Sequence, residues 1–240
     1  MPLNETGMHP TEVPINFLLD IDGTLAMTDH LYVLAFADLM RPYGYKEVDD
    51  EWFAKNVAGK TDIDVFRALL PEGTSHEELE ACSKRKDDLF VEKVAKLGPT
   101  VVAGLGDALL MARKNGWRCI AVTNAQRGGG QAVLDFLKRE LGEVAGVIED
   151  LVVGCECPNA KPHPDPYVEG MKRLGAVPEN CIVFEDSGTG ARAGVAAQVA
   201  AVVGLRTSLT DEALRSKGCT VTVADWTEVT ETQLRELVAT

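Results

Sequence analysis

Residues 16–21 read NFLLDI and residues 181–186 read CIVFED, two continuous apolar runs that each close on carboxylates. A run this short, with no polar alternation, fits a strand covered on both faces, which is the habit of parallel sheets. Parallel neighbours need long crossovers between them, usually helices. The chain supplies these. Helical spacing predicts helices over 108–114, 131–141, 166–174 and 187–195, and apolar runs predict further strands over 118–123, 151–153 and 199–203. Gly128, Gly129 and Gly130 read as a flexible loop before the second of these helices. The expected fold class is α/β, with a doubly wound parallel sheet that binds ligands beyond the carboxyl ends of its strands.

The stretch 31–97 breaks that alternation, because it shows helical patterns only. They cover 31–40, 51–57 and 62–70, and a fourth opens with Ser75 and Glu78 at capping-box spacing. That fourth helix is expected to carry Leu79, Cys82, Leu89, Phe90, Val94 and Leu97 on one side. A helical block is therefore inserted straight after the first strand.

Composition narrows the partners. Twenty-four basic against 37 acidic residues give a net charge of −13, which argues against general affinity for nucleic acid or an anionic membrane. It does not exclude a small anionic substrate, which needs only one local cation cluster. Hydrophobic residues at 45% and charged residues at 25% exclude a disordered chain. No run approaches the roughly 18 apolar residues of a membrane span. The opening MPLNETGMHPTEVP has neither a basic start nor an apolar stretch, so no signal or transit peptide is expected and the cytoplasm is the expected location. The six cysteines lack zinc-site spacing and read as reduced thiols.

Four polar clusters can carry chemistry. Asp20 and Asp22, with Gly23 and Thr24, close the first strand; like charges so near each other stay ionised only beside a cation, and a hard divalent ion takes oxygen ligands. A solvated turn is the plainer alternative. Thr123 and Asn124 close a second strand and can donate to phosphate oxygens, although a turn-forming pair is commoner. Lys161 sits in AKPHPDPY, where three prolines stiffen the loop; it is either a fixed cation or a surface lysine. Glu185 and Asp186 close the CIVF strand, as metal ligands or as part of a helix cap.

Taken in order, the carboxylate pair, hydroxyl, lysine and carboxylate pair resemble the haloacid dehalogenase-like hydrolase superfamily from about residue 17 to residue 205. The helical insert resembles the cap of the group that includes β-phosphoglucomutase. Within that group NVAGK, AVTNA, GCECPNAKPHPDPY and VFEDSGTGARAGVAA are most similar to plant-type broad-range phosphatases of small sugar phosphates. The resemblance implies a Rossmann-like core of residues 1–30 and 99–240, with residues 31–98 as a small helical cap. It implies Asp20 as the nucleophile and Asp22 as the general acid and base. It implies Mg²⁺ held by the Asp20 carboxylate, the Asp22 carbonyl and Asp186, with Glu185 direct or through water. Thr123, Asn124 and Lys161 would hold phosphate oxygens, and Gly59 and Lys60 would reach the substrate from a cap loop.

The implied function is Mg²⁺-dependent phosphatase action on small phosphorylated metabolites through an aspartyl-phosphate, by a monomer. The alternative is a β-phosphoglucomutase-like sugar-phosphate mutase. Two residues favour the phosphatase: Asp62 stands where mutase relatives usually have arginine, and Thr24 is a residue they often lack. A dehalogenase would lack the second aspartate. Gly188, Gly190 and Ala193 nominally fit a dinucleotide fingerprint, but Glu185 and Asp186 directly precede them and would repel a pyrophosphate. Gly59, Lys60 and Thr61 imitate the end of a P-loop, yet its earlier glycine is here Ala54.

Overall fold

The structure is a computed structural model that describes residues 14–57 and 60–239. Six parallel strands form one sheet: β1 Asn16–Leu19, β4 Arg118–Thr123, β5 Ile148–Val153, β6 Cys181–Glu185, β7 Ala201–Leu205 and β8 Val221–Val223. Their order is β5-β4-β1-β6-β7-β8. The chain thus builds outward on one side of β1 and then returns to build on the other. Strand order reverses at β1, and such a reversal leaves a crevice at the carboxyl ends of the strands.

Successive β1 side chains feed two cores. Phe17 and Leu19 join the larger cluster and Leu18 the one on the opposite face, and all three are fully buried. After Asn16, apolar residues therefore fill β1 without alternation, as a strand covered on both faces requires. Leu19 is in register with Ala121 of β4 and Phe184 of β6. That register sets Asp20, Thr123 and Glu185 at one edge.

Two short strands, β2 Ala26–Met27 and β3 Thr100–Val101, pair antiparallel at the base of the helical insert. Sequence patterns passed over this ribbon, because two residues carry no periodicity. Between its strands lie α1 Asp29–Met40, α2 Asp50–Asn56, α3 Asp62–Leu69 and α4 His76–Leu97. The fold is an α/β core with a small helical cap inserted after the first strand of the main sheet. Ser75 and Glu78 close the capping box expected for α4. Leu79, Cys82, Leu89, Phe90 and Val94 are buried, but Leu97 is 60% exposed, because the helix ends there and the chain turns at Gly98. Lys86 shares the buried stripe and is neutralised by Asp62 at 2.7 Å and Asp87 at 2.8 Å.

The core helices are α5 Leu105–Lys114, α6 Arg127–Leu141, α7 Asp165–Leu174, α8 Gly188–Ala196, α9 Asp211–Ser216 and α10 Glu231–Val238. The expected loop at residues 128–130 is instead the first turn of α6. A Cβ at Gly129 would stand 3.2 Å from the Phe90 ring, and one at Gly130 would stand 3.2 Å from Leu151 and Thr123. These glycines serve close packing rather than flexibility. The strand expected over 199–203 lies at Ala201–Leu205, because α8 runs on to Ala196 and the turn after it extends through Gln198, whose φ is +58°. All six cysteines are unpaired thiols. No helix among the described residues is long and apolar enough to cross a membrane.

Candidate active site

Asp20 directly follows β1, and its amide still donates to the Phe184 carbonyl at 3.1 Å. The carboxylate is thereby fixed to the sheet. Gly23 turns the chain at a φ of +78°, and a Cβ there would lie 2.1 Å from Asp186 Oδ2. Glycine is required twice over, for the backbone angle and for the approach of the two loops. Asp22 is partly covered and accepts from Thr28 Oγ1 at 2.6 Å, with Thr123 Oγ1 at 3.5 Å from its other oxygen.

Lys161 is buried and lies at the centre of the group. Its Nζ donates to Asp20 Oδ1 at 2.7 Å, Glu185 Oε1 at 2.7 Å and the Val122 carbonyl at 2.8 Å. All three ammonium donors are therefore used. Asn124 holds the lysine's backbone, donating to the Lys161 carbonyl and accepting from the Lys161 amide, both at 3.1 Å. Its main visible task is to position the lysine loop, which the residue type alone did not indicate.

Glu185 is fully buried. Oε1 accepts from Lys161 and from Tyr167 Oη at 2.7 Å; Oε2 accepts from the Ser187 amide at 3.2 Å and from Ser187 Oγ at 2.9 Å. Those four donors occupy its lone pairs. A Cβ at Gly190 would stand 1.5 Å from Oε1, so the start of α8 closes over this carboxylate. Among side chains of the described residues Asp20 Oδ2 and Asp186 Oδ1 are the less engaged oxygens, the latter meeting Thr24 Oγ1 at 3.5 Å.

Seven of the expected residues thus come together: Asp20, Asp22, Thr123, Asn124, Lys161, Glu185 and Asp186. Lys60 is exposed, and its ammonium donates to the carbonyls of Lys55 and Asn56, each at 3.0 Å, at the end of α2. Gly59 lies outside the described residues. Sequence reasoning missed Thr28, Tyr167 and Ser208. Tyr167 closes the α7 start of the same proline-rich segment as Lys161, a proximity that could have drawn attention to it.

Four carboxylates face one ammonium. Burial, then the charge of Glu185, raises Asp20 well above the ordinary carboxylate range despite the opposing pull of Lys161. Burial also raises Asp22, against the hydrogen bond from Thr28. Burial and the Glu185 charge push Asp186 up to about 7. For Lys161 burial opposes the charge, but Asp20 and Glu185 outweigh it and keep the ammonium protonated. Ligand oxygens of Asp20, Glu185 and Asp186 lie within 4.8 Å of one another. An all-oxygen set with this excess of negative charge fits a hard divalent cation.

A pH dependence follows from the raised groups. At these site carboxylates the folded metal-free protein holds protons that the unfolded chain has already released, so their contribution to stability falls as pH rises through the raised pKa values. Raising Asp186 from 3.8 to about 7 corresponds to at most about 4 kcal/mol, lost between about pH 4 and pH 7. In EDTA the thermal midpoint is expected to fall between about pH 5 and pH 7, and to fall less steeply in Asp186→Asn. Equal slopes in the two proteins would remove this account.

The model of the haloacid dehalogenase-like hydrolases matches residues 16–198. Protein CbbY of Rhodobacter capsulatus is 29% identical over 214 residues, spanning 87% of this chain and 90% of that protein. A phosphorylated carbohydrates phosphatase of Thermotoga maritima is 27% identical over 198 residues, spanning 81% and 86%. The crystal structure of a beta-phosphoglucomutase from Clostridium difficile superposes with a TM-score of 0.76 at 20% identity, covering 94% of this chain and 97% of that one; it attests the fold alone. The family match takes in β1, β4 and β6 together with every described residue that meets at their carboxyl ends from Asp20 to Asp186, and on that ground the chain belongs to the haloacid dehalogenase-like hydrolases.

Proposed function

We propose that the chain is a Mg²⁺-dependent phosphatase of small phosphorylated sugars or polyols, working through an aspartyl-phosphate. The observation that carries this reading is the division of labour between its two aspartates. Asp20 is buried in the cation cluster against Lys161, whereas Asp22 stands outside the cluster of potential metal ligands and is held by Thr28. Two carboxylates in different surroundings suit different roles.

Asp20 attacks phosphorus in line, forming a P–O bond as the bond to the leaving alkoxide breaks. Asp22, whose proton burial favours, protonates that alkoxide. Water then attacks the phosphorus of the aspartyl-phosphate, Asp22 takes its proton, and inorganic phosphate and free Asp20 result. Lys161 stays charged throughout and, with Thr123, steadies the negative oxygens. Asp20, Asp186 and the Asp22 carbonyl would hold Mg²⁺, with Glu185 acting through water because its own oxygens are already occupied. The ion supplies compensation for the charge between a carboxylate nucleophile and a phosphate dianion. The helical cap, residues 31–98 in this reading, excludes bulk water and selects the ester. The phosphatase relative supports phosphorylated carbohydrates as the substrate class.

Phosphate release across a panel of sugar and polyol monophosphates tests the proposal. Release in Mg²⁺ that stops in EDTA is expected. Equal rates in EDTA would sink the metal assignment. Conversion of β-glucose 1-phosphate to glucose 6-phosphate without release would make the chain a mutase.

A further inference from the structure

Three donors from the C-terminal part of the chain reach the catalytic edge. Thr207 Oγ1 donates to the Gly23 carbonyl at 2.6 Å, and Trp226 Nε1 donates to the Thr24 carbonyl at 2.8 Å. Ser208 Oγ donates to Asp186 Oδ2. All three residues lie beyond residue 198, where the family match ends, and none belongs to the motifs read from the sequence.

Ser208 has the most direct consequence. Asp186 is buried, and its only other side-chain partner among the described residues is Thr24, at 3.5 Å, the outer limit of a hydrogen bond. The same Oδ2 occupies the space a side chain at Gly23 would need, since a Cβ there would stand 2.1 Å from it and 3.0 Å from Ser208 Oγ. Any side chain at residue 23 would displace this carboxylate, and among side chains of the described residues Ser208 is its one close donor. The loop bearing Ser208 is itself tied down by Thr207, one residue earlier. Groups that orient metal ligands are conventionally worth ten- to hundred-fold in affinity.

We propose that Ser208 is a positioning residue that holds Asp186 in its cation-binding orientation, Thr207 anchoring the loop that presents it. This rests on the divalent-cation reading above. Calorimetric titration of Mg²⁺ into the metal-stripped protein tests it without substrate or turnover. Ser208→Ala is expected to weaken Mg²⁺ binding by about tenfold or more. Ser208→Thr, which keeps the hydroxyl, is expected to restore it. Ser208 is exposed, so neither change disturbs the core and the added methyl can point to solvent.

A merely structural serine would lower the thermal midpoint in EDTA and leave Mg²⁺ affinity unchanged. Wild-type affinity in Ser208→Ala, or a Ser208→Thr protein as weak as Ser208→Ala, overturns the proposal. Failure of the wild-type protein itself to bind Mg²⁺ overturns the cation reading and this inference with it.

Discussion

Asp20→Asn is expected to lower phosphate release by at least about 10⁴-fold, as loss of a covalent nucleophile does elsewhere. It is also expected to leave the metal-free protein at least as resistant to heat as the wild type. The two effects separate because the same charge that attacks phosphorus is costly at rest. Asp20 is buried beside Glu185 and Asp186, and burial together with the Glu185 charge already favours its neutral form. Asparagine removes that repulsion, while Lys161 keeps Glu185 at 2.7 Å. Steady-state phosphate release and a thermal melt in EDTA measure the two sides. Substantial residual turnover would remove Asp20 from the nucleophile's role. A large drop in the midpoint would mean that its contact with Lys161 outweighs the repulsion.

Lys161→Met acts in the opposite direction on stability. It leaves Asp20 and Glu185 buried without their cation and frees the Val122 carbonyl. Breaking a buried pair by removing one partner costs about 3–5 kcal/mol. For a chain of this size that is a fall of roughly 10 °C in the thermal midpoint. Protonation of the stranded carboxylates relieves part of the loss, so the deficit is expected to shrink as pH falls, since the protonated forms need no partner. Turnover is lost as well, because no other lysine or arginine among the described residues contacts Asp20. A variant that melts with the wild type in EDTA as well as in Mg²⁺ would show that the three contacts of Lys161 are dispensable, whereas equality in Mg²⁺ alone would show that the ion replaces them.

Much of the site was legible before any coordinates. Asp20, Thr123, Glu185 and Asp186 each end an apolar run, and a parallel sheet brings strand ends to one edge. Lys161, in a loop stiffened by the three prolines that follow it, could alone have been a surface lysine, and only its place in the order of motifs singled it out. Thr28, Tyr167 and Ser208 were not legible. Thr28 and Ser208 are lone hydroxyls with no pattern around them, Tyr167 only closes the proline-rich segment of Lys161, and the partner of each is a carboxylate in another part of the fold or beyond a turn. Asn124 shows a different limit. Its amide was expected to face phosphate, yet both of its ends engage the Lys161 backbone, 37 residues away. Residues 128–130 failed for a related reason: three glycines signal local freedom, but Phe90, Leu151 and Thr123 take up the space a Cβ would need.

Local physics thus determined five of the six strands of the main sheet, though not β8 or the β2–β3 ribbon, together with the helical insert, the capping box of α4 and the kinds of group that could act. These depend on periodicity, steric limits and charge, all of which are properties of neighbouring residues. The tertiary structure alone decided which oxygen accepts from which donor. Lys161 and Asp20 are 141 residues apart in the chain and 2.7 Å apart in the fold. Only packing makes Glu185 a saturated carboxylate and leaves Asp20 and Asp186 with oxygens to spare, because hydrogen-bond valence is filled by whatever the folded chain brings within reach.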